Sequence, residues 1–221
     1  METTKRPVNG YTCMIKNEQL SVPTIIYLIR HGETDWNVLG KLQGQEDVEL
    51  SASGRKQASE LARYFETEPW DVLVSSPLKR AYETARIVTN NISVPAILVV
   101  NELVERSYGD AEGLLPEERL LQFPDGIVPG QEDFEHLRVR ALAAINKIAT
   151  DFHGKKILVV SHGGVIYTIL YSLLGAEFKN SKTILKNGSI NKLILENNKW
   201  SVEFYNKTVP ELIPELKTPG I

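Results

Sequence analysis

The stretch Ile25-Ile26-Tyr27-Leu28-Ile29-Arg30-His31-Gly32-Glu33-Thr34 begins as an unbroken β-rich apolar run and breaks off at a cation, an imidazole and a glycine. Runs without polar alternation suit strands covered on both faces, as in a parallel sheet with helices on either side. Three further runs share the character: Val72-Leu73-Val74, Ile97-Leu98-Val99-Val100 and Ile157-Leu158-Val159-Val160. Between them the apolar spacing turns helical. Ala58, Leu61, Ala62 and Phe65 share one face, Ala81, Ala85 and Val88 another, and Phe134, Leu137, Ala141, Ile145 and Ile148 a third. Ser76-Pro77 predicts a helix entrance, with Ser76 as N-cap and Pro77 in the first turn. Lys192 to Glu196 and Trp200 to Tyr205 flank Asn197-Asn198, the pattern of a β-hairpin. The expected fold is α/β: a three-layer α/β/α sandwich around a mostly parallel central sheet.

The chain has 221 residues, 42% of them hydrophobic. That suits a single domain, expected over 23–209, with a short lid insertion over 113–130. Residues 1–22 read as a flexible N-terminal extension and 210–221, with three prolines, as a loosely packed tail. The formal net charge of −3 gives no electrostatic case for nucleic acid or an anionic membrane surface. Any anion must therefore be held by a local cluster of basic groups. The single cysteine, Cys13, excludes an intrachain disulfide framework and a multi-cysteine metal site. No apolar run approaches the roughly 18 residues of a membrane span. The first 22 residues lack the apolar core of a signal peptide, so a cytoplasmic location is expected.

Ligands of open α/β sheets bind beyond the carboxyl ends of the strands. Three expected strands end there in chemistry. The first runs into Arg30-His31-Gly32, the second into Ser75-Ser76-Pro77-Leu78-Lys79-Arg80, and the last central one into Ser161-His162-Gly163-Gly164. Glycine admits close backbone approach, and helix N-termini offer free N–H groups to an anion. Taken singly, each residue has a plainer reading: a packed histidine, a solvated arginine, a turn glycine. Their joint arrival at one sheet edge points to a phosphate site assembled from distant segments.

The run Leu28-Ile29-Arg30-His31-Gly32-Glu33-Thr34-Asp35-Trp36-Asn37 resembles the signature of the histidine phosphatase superfamily, which includes phosphoglycerate mutases. The similarity continues through Leu42-Gln43-Gly44, Ser75 to Ala81, Leu103 to Gly113 and Val160 to Gly164, in the family's order. The resemblance implies that His31 is a nucleophile forming a phosphohistidine, that Arg30, Arg80 and His162 clamp the phosphoryl oxygens, and that Glu105 is the general acid and then base. Asn37, Gln43, Gly44, Tyr108 and Gly163 match positions that contact phosphate or substrate. Of the nearby carboxylates, Glu102 and Glu112 read instead as a surface group or a backbone cap, and His136 and His153 as structural. No metal and no other cofactor is implied, and the expected partner is a small-molecule phosphate ester, with the protein a monomer or homodimer.

The cofactor-dependent mutases of this family carry a lysine shortly after the general acid and an arginine pair in a long insertion. Here Leu114-Leu115-Pro116-Glu117-Glu118-Arg119-Leu120-Leu121 has neither, which favours a phosphatase, with Leu114, Leu115 and Phe123 expected to form an apolar lid. The run Tyr108 to Gly113 looks like that of bacterial broad-specificity phosphatases. Three alternatives stay open: mutase-type transfer, a metal hydrolase using His31 and His162, and a non-catalytic phospho-ligand sensor. Arg30 argues against the second, because a guanidinium beside a metal cation is repulsive.

Overall fold

The computed structural model describes residues 22–176, 178 and 183–213. Strands β1 (Thr24–Arg30), β2 (Val72–Ser75), β3 (Ile97–Val99) and β4 (Lys156–Ser161) run parallel, and β5 (Ile190–Glu196) and β6 (Lys199–Lys207) form an antiparallel hairpin beside β1. The sheet order is β3-β2-β4-β1-β5-β6. Helices α1 (Asp35–Leu39), α2 (Ala52–Phe65), α3 (Lys79–Val88), α4 (Pro116–Gln122), α5 (Phe134–Asp151), α6 (Gly163–Leu174) and α7 (Val209–Leu212), with two short 3-10 turns (Asn101–Leu103 and Gly109–Ala111), complete the described elements.

The central strands alternate between two cores, since successive side chains point to opposite faces. Ile26, Leu28, Val72, Val74, Ile157 and Val159 pack with Leu137, Ile145, Ile166 and Ile169 of α5 and α6. Tyr27, Ile29, Leu73, Leu158 and Val160 pack with Leu61, Phe65, Ala81 and Val88 of α2 and α3. This makes the three-layer sandwich, with helices covering both faces of a mostly parallel sheet. The hairpin turn falls on Asn197 and Asn198, both with positive φ (51° and 59°), the backbone of a tight two-residue connection.

Several expectations need correction. Val100 lies outside β3, which is an edge strand with Leu98 40% and Val99 50% exposed, so it is not covered on both faces. Helix α3 starts at Lys79 with Leu78 at its N-cap, so Ser76 is not the N-cap and Pro77 precedes the first turn. Pro210 to Leu212, expected to open the loose tail, belong to α7, where Glu211 accepts hydrogen bonds from the Thr208 N–H and hydroxyl and Val209 is buried. Residues 214–221 of that tail and residues 1–21 lie outside the described residues. Within 113–130 the chain forms α4, and it is tied to the strand-1 side by paired backbone bonds between Leu42 and residues 113 and 114. No described helix is long and apolar enough to cross a membrane.

Candidate active site

Register brings the site together. Arg30 pairs with Ser161 across β1 and β4, and Ser75 pairs with Val160 across β2 and β4, so three strands end level. The next residues out, His31, His162 and Ser76, are therefore neighbours. His31 N–H continues the ladder to Ser161 O at 3.0 Å, and Ser76 N–H to Val160 O at 3.0 Å. The two imidazole rings lie 5.2 Å apart between centroids.

His31 is buried, and its Nδ1 lies 2.6 Å from the carbonyl oxygen of Gly32. A carbonyl only accepts, so the ring hydrogen sits on Nδ1 and Nε2 is left with its lone pair. Burial first, then the charges of Arg80 and Arg30, hold the His31 pKa well below the ordinary 6.5. The ring is thus neutral across the physiological range, with its lone pair on Nε2. Its loop is fixed from two sides. Thr84 Oγ1 accepts from Gly32 N–H at 3.1 Å, and Asn187 Nδ2 donates to His31 O at 3.2 Å.

Arg80, 1% exposed, donates from Nη1 to Glu46 O and from Nη2 to Gly44 O, both at 2.7 Å. Gly44 can present that carbonyl because its φ is +54° and it has no side chain; a Cβ there would lie 2.0 Å from Glu112 Oε1. Arg30 Nη1 donates to Leu185 O. After these bonds Arg30 Nε, Arg80 Nε and His162 Nδ1 remain buried with no partner. Buried donors without acceptors are costly, and the two guanidinium Nε–H groups, on residues that line one cavity with His31, are suited to meet an oxyanion. Burial pulls the Arg80 pKa down to about 10, with Glu105 opposing, so it stays a cation at neutral pH.

Asn37 is oriented by elimination. Its Oδ1 accepts from Thr34 N–H, the Thr34 hydroxyl and Asn187 Nδ2, each at 3.1 Å, which leaves its Nδ2 for the cavity. Glu105, 8% exposed, accepts from Arg106 N–H at 2.8 Å through Oε1 and from Gly164 N–H at 2.9 Å through Oε2. Its loop is pinned by Arg140, which donates to the carbonyls of Glu102, Val104 and Glu105 and pairs with Glu132 at 2.6 Å. Tyr108 is pushed up to about 12 by burial and by Glu105, so its phenol stays protonated.

These residues line one cavity of about 250 Å³: Arg30, His31, Asn37, Gln43, Gly44, Arg80, Glu105, Tyr108 and Gly163 all contribute to its wall. His162 does not. It is fully buried, its Nε2 bonded to Ser76 Oγ at 2.7 Å. Glu112 caps backbone, accepting from the N–H groups of Gln45 and Tyr108, as its plainer reading holds. His136 and His153 are exposed and line none of this cavity. The apolar wall differs from expectation: Leu42, Tyr167, Ile184 and Leu185 supply it, and Leu114, Leu115 and Phe123 do not. Sequence reasoning also missed Lys41, a lining cation stacked 5.6 Å from the Trp36 ring, and the positioning roles of Asn187 and Arg140. Asn187-Gly188 carries a turn signal and Arg140 a helix-surface one; neither signal points to a site. Among the described residues, no three His, Cys, Asp or Glu side chains converge as a metal's ligands would.

A neutral buried imidazole beside two guanidinium groups whose Nε atoms are unpartnered, at the carboxyl edge of a parallel sheet, suits the α/β enzymes that handle phosphoryl groups. Residues 26–208 match the family model described as histidine phosphatase superfamily (branch 1), and the chain belongs to that superfamily. It is 39% identical over 183 residues to the uncharacterized phosphatase PhoE of Bacillus subtilis (strain 168), covering 83% of this chain and 94% of that protein. It is 34% identical over 196 residues to a metal-independent phosphoserine phosphatase of Arabidopsis thaliana, covering 83% and 81%. Among solved structures, a mutant phosphoserine phosphatase of Entamoeba histolytica in complex with phosphoserine superposes with a TM-score of 0.73 at 29% identity, covering 86% of this chain and all of that one. The chain is thus an enzyme of the phosphatase and mutase kind.

Proposed function

We propose that the protein hydrolyses small phosphomonoesters, without a metal, through a phosphohistidine on His31. The observation that carries this reading is the 2.6 Å bond from His31 Nδ1 to Gly32 O, which leaves Nε2 as the lone-pair nitrogen beside unpartnered buried donors. In the first step the His31 Nε2 lone pair attacks phosphorus, the N–P bond forms and the ester P–O bond breaks. The Glu105 carboxylic acid gives its proton to the departing alkoxide. In the second step the Glu105 carboxylate takes a proton from water, whose oxygen attacks phosphorus; the N–P bond breaks and inorganic phosphate leaves. Arg30, Arg80, His162 and the Asn37 amide hold the phosphoryl oxygens throughout, where fixed donors in a dry site act most strongly. Gln43, Gly44, Tyr108 and Gly163 bound the substrate.

One observation favours the second reading, return of the phosphoryl group to substrate. Lys41 adds a cation to the wall, where a mutase needs charge to hold a reorienting acid. The test is phosphate release from a panel of phosphomonoesters, phosphoserine and 3-phosphoglycerate included, with chelator present throughout. Release from several esters is expected. Interconversion of phosphoglycerates without release would make it a mutase, loss of activity to the chelator a metal hydrolase, and phosphate binding without turnover a sensor.

A further inference from the structure

We propose that Ser76 is a positioning residue: its hydroxyl donates to His162 Nε2 and thereby fixes the imidazole hydrogen on Nδ1. This rests on the reading above, in which the phosphoryl group sits on His31. Ser76 and His162 are both fully buried, and Ser76 Oγ lies 2.7 Å from Nε2. The imidazole has no other hydrogen-bond partner, because Nδ1 is buried and unpaired.

A neutral imidazole carries one hydrogen, and the bond at one nitrogen decides where it sits. Ser76 Oγ already accepts from Leu78 N–H at 3.4 Å, and among the described residues no other acceptor is bonded to its hydroxyl hydrogen. Donation to Nε2 uses that hydrogen and leaves Nδ1 protonated. The reverse tautomer would leave the hydroxyl hydrogen without an acceptor and put a lone pair on Nδ1, the nitrogen that has no protein partner. The seryl oxygen is well placed for this. Ser76 N–H is tied to Val160 O at 3.0 Å, and Ser76 O accepts from the Ser75 hydroxyl at 2.9 Å, so the backbone that carries Oγ is fixed at the strand end. The Nδ1 hydrogen has no acceptor in the structure, and with the two rings 5.2 Å apart between centroids a phosphoryl group on His31 would supply one. Burial, Arg80, the His31 ring and Arg30 hold the His162 pKa well below 6.5, so the ring donates through its single N–H as a neutral group.

The test is long-range proton–nitrogen NMR on the full chain, which reads the His162 tautomer, combined with steady-state kinetics of Ser76→Ala and Ser76→Thr. The wild-type protein is expected to show Nδ1–H. Ser76→Ala should lose that single form and weaken inhibition by inorganic phosphate by roughly 10-fold, the effect of one hydrogen bond to a charged group. Ser76→Thr, which keeps the hydroxyl, should restore the Nδ1–H form. An Nε2–H tautomer in the wild type, or an unchanged tautomer in Ser76→Ala, would overturn the proposal. The wild-type spectrum decides even if Ser76→Ala does not fold. It also needs no turnover, so failure of the phosphatase reading, seen as no phosphate release, is recorded separately.

Discussion

Glu105 and Gly164 are made for each other: the Gly164 N–H donates to Glu105 Oε2 at 2.9 Å, and a Cβ on residue 164 would lie 2.5 Å from Glu105 Oε1. The carboxylate can come this close to the start of α6 because residue 164 has no side chain. Because the clashing atom is the end of a flexible side chain, the fold can absorb a methyl group by moving the carboxylate aside.

Gly164→Ala is therefore expected to keep the fold and displace the Glu105 carboxylate, the proposed general acid. Turnover of esters with poor leaving groups should fall by about 10²-fold or more, the lower end of general acid catalysis. Hydrolysis of p-nitrophenyl phosphate, whose leaving group needs little proton help, should fall much less. Inhibition by inorganic phosphate should be nearly unchanged. Equal loss on both esters would show that the Glu105 contact serves something other than proton transfer.

Arg80 holds two carbonyls and lines the cavity with His31, so on the proposed reading Arg80→Ala should act on both stability and binding. Loss of one charge-assisted bond is about 1.5–3 kcal/mol, which raises the inhibition constant for inorganic phosphate at least 10-fold. Gly44 O and Glu46 O also lose their donor, and the melting temperature should drop. Unchanged phosphate inhibition would place the clamp elsewhere.

The two buried histidines give stability a definite pH dependence. Both are neutral in the folded protein with pKa values held well below 6.5, while the unfolded chain protonates them near that value. Below pH 6.5 the unfolded state binds more protons, so stability falls as pH falls, by up to about 1.4 kcal/mol per pH unit for each ring. Above that pH these groups contribute no slope. Denaturant unfolding at pH 7 and 5.5 should show the loss, and His31→Gln should remove about half of the histidine-dependent part. Equal stability at the two pH values would contradict the neutral, buried assignment.

Most of the sandwich was legible because its central strands are buried on both faces and so read as unbroken apolar runs. β3 misled for the same reason: Leu98 and Val99 are as apolar as any core strand, yet they stand at the sheet edge, and burial is decided by neighbours that the run itself does not encode. The lining residues at the end of β1, Arg30 and His31, were legible because a charge or an imidazole after an apolar strand has few ways to be satisfied, and Arg80, in the first turn of α3, was legible by its place in the run that follows β2. Ser76 was misread for a local reason. Ser-Pro is a good helix opening by itself, and the competing partner, His162, lies 86 residues away in sequence. Asn187, Arg140 and Lys41 were invisible in the sequence because a side chain that bonds to backbone carbonyls or stacks on a ring leaves no motif.

The most direct test of the account is to trap the phosphoryl group. Glu105→Gln cannot activate water, so the second step should slow while p-nitrophenol still departs in the first. A rapid-quench experiment on this variant with p-nitrophenyl phosphate should give a burst of one p-nitrophenol per active site. The quenched protein should carry an acid-labile, base-stable phosphoryl group, mapped by mass spectrometry to His31, and His31→Ala should show neither burst nor turnover. A label on any other residue, or sustained hydrolysis by His31→Ala, would contradict the account.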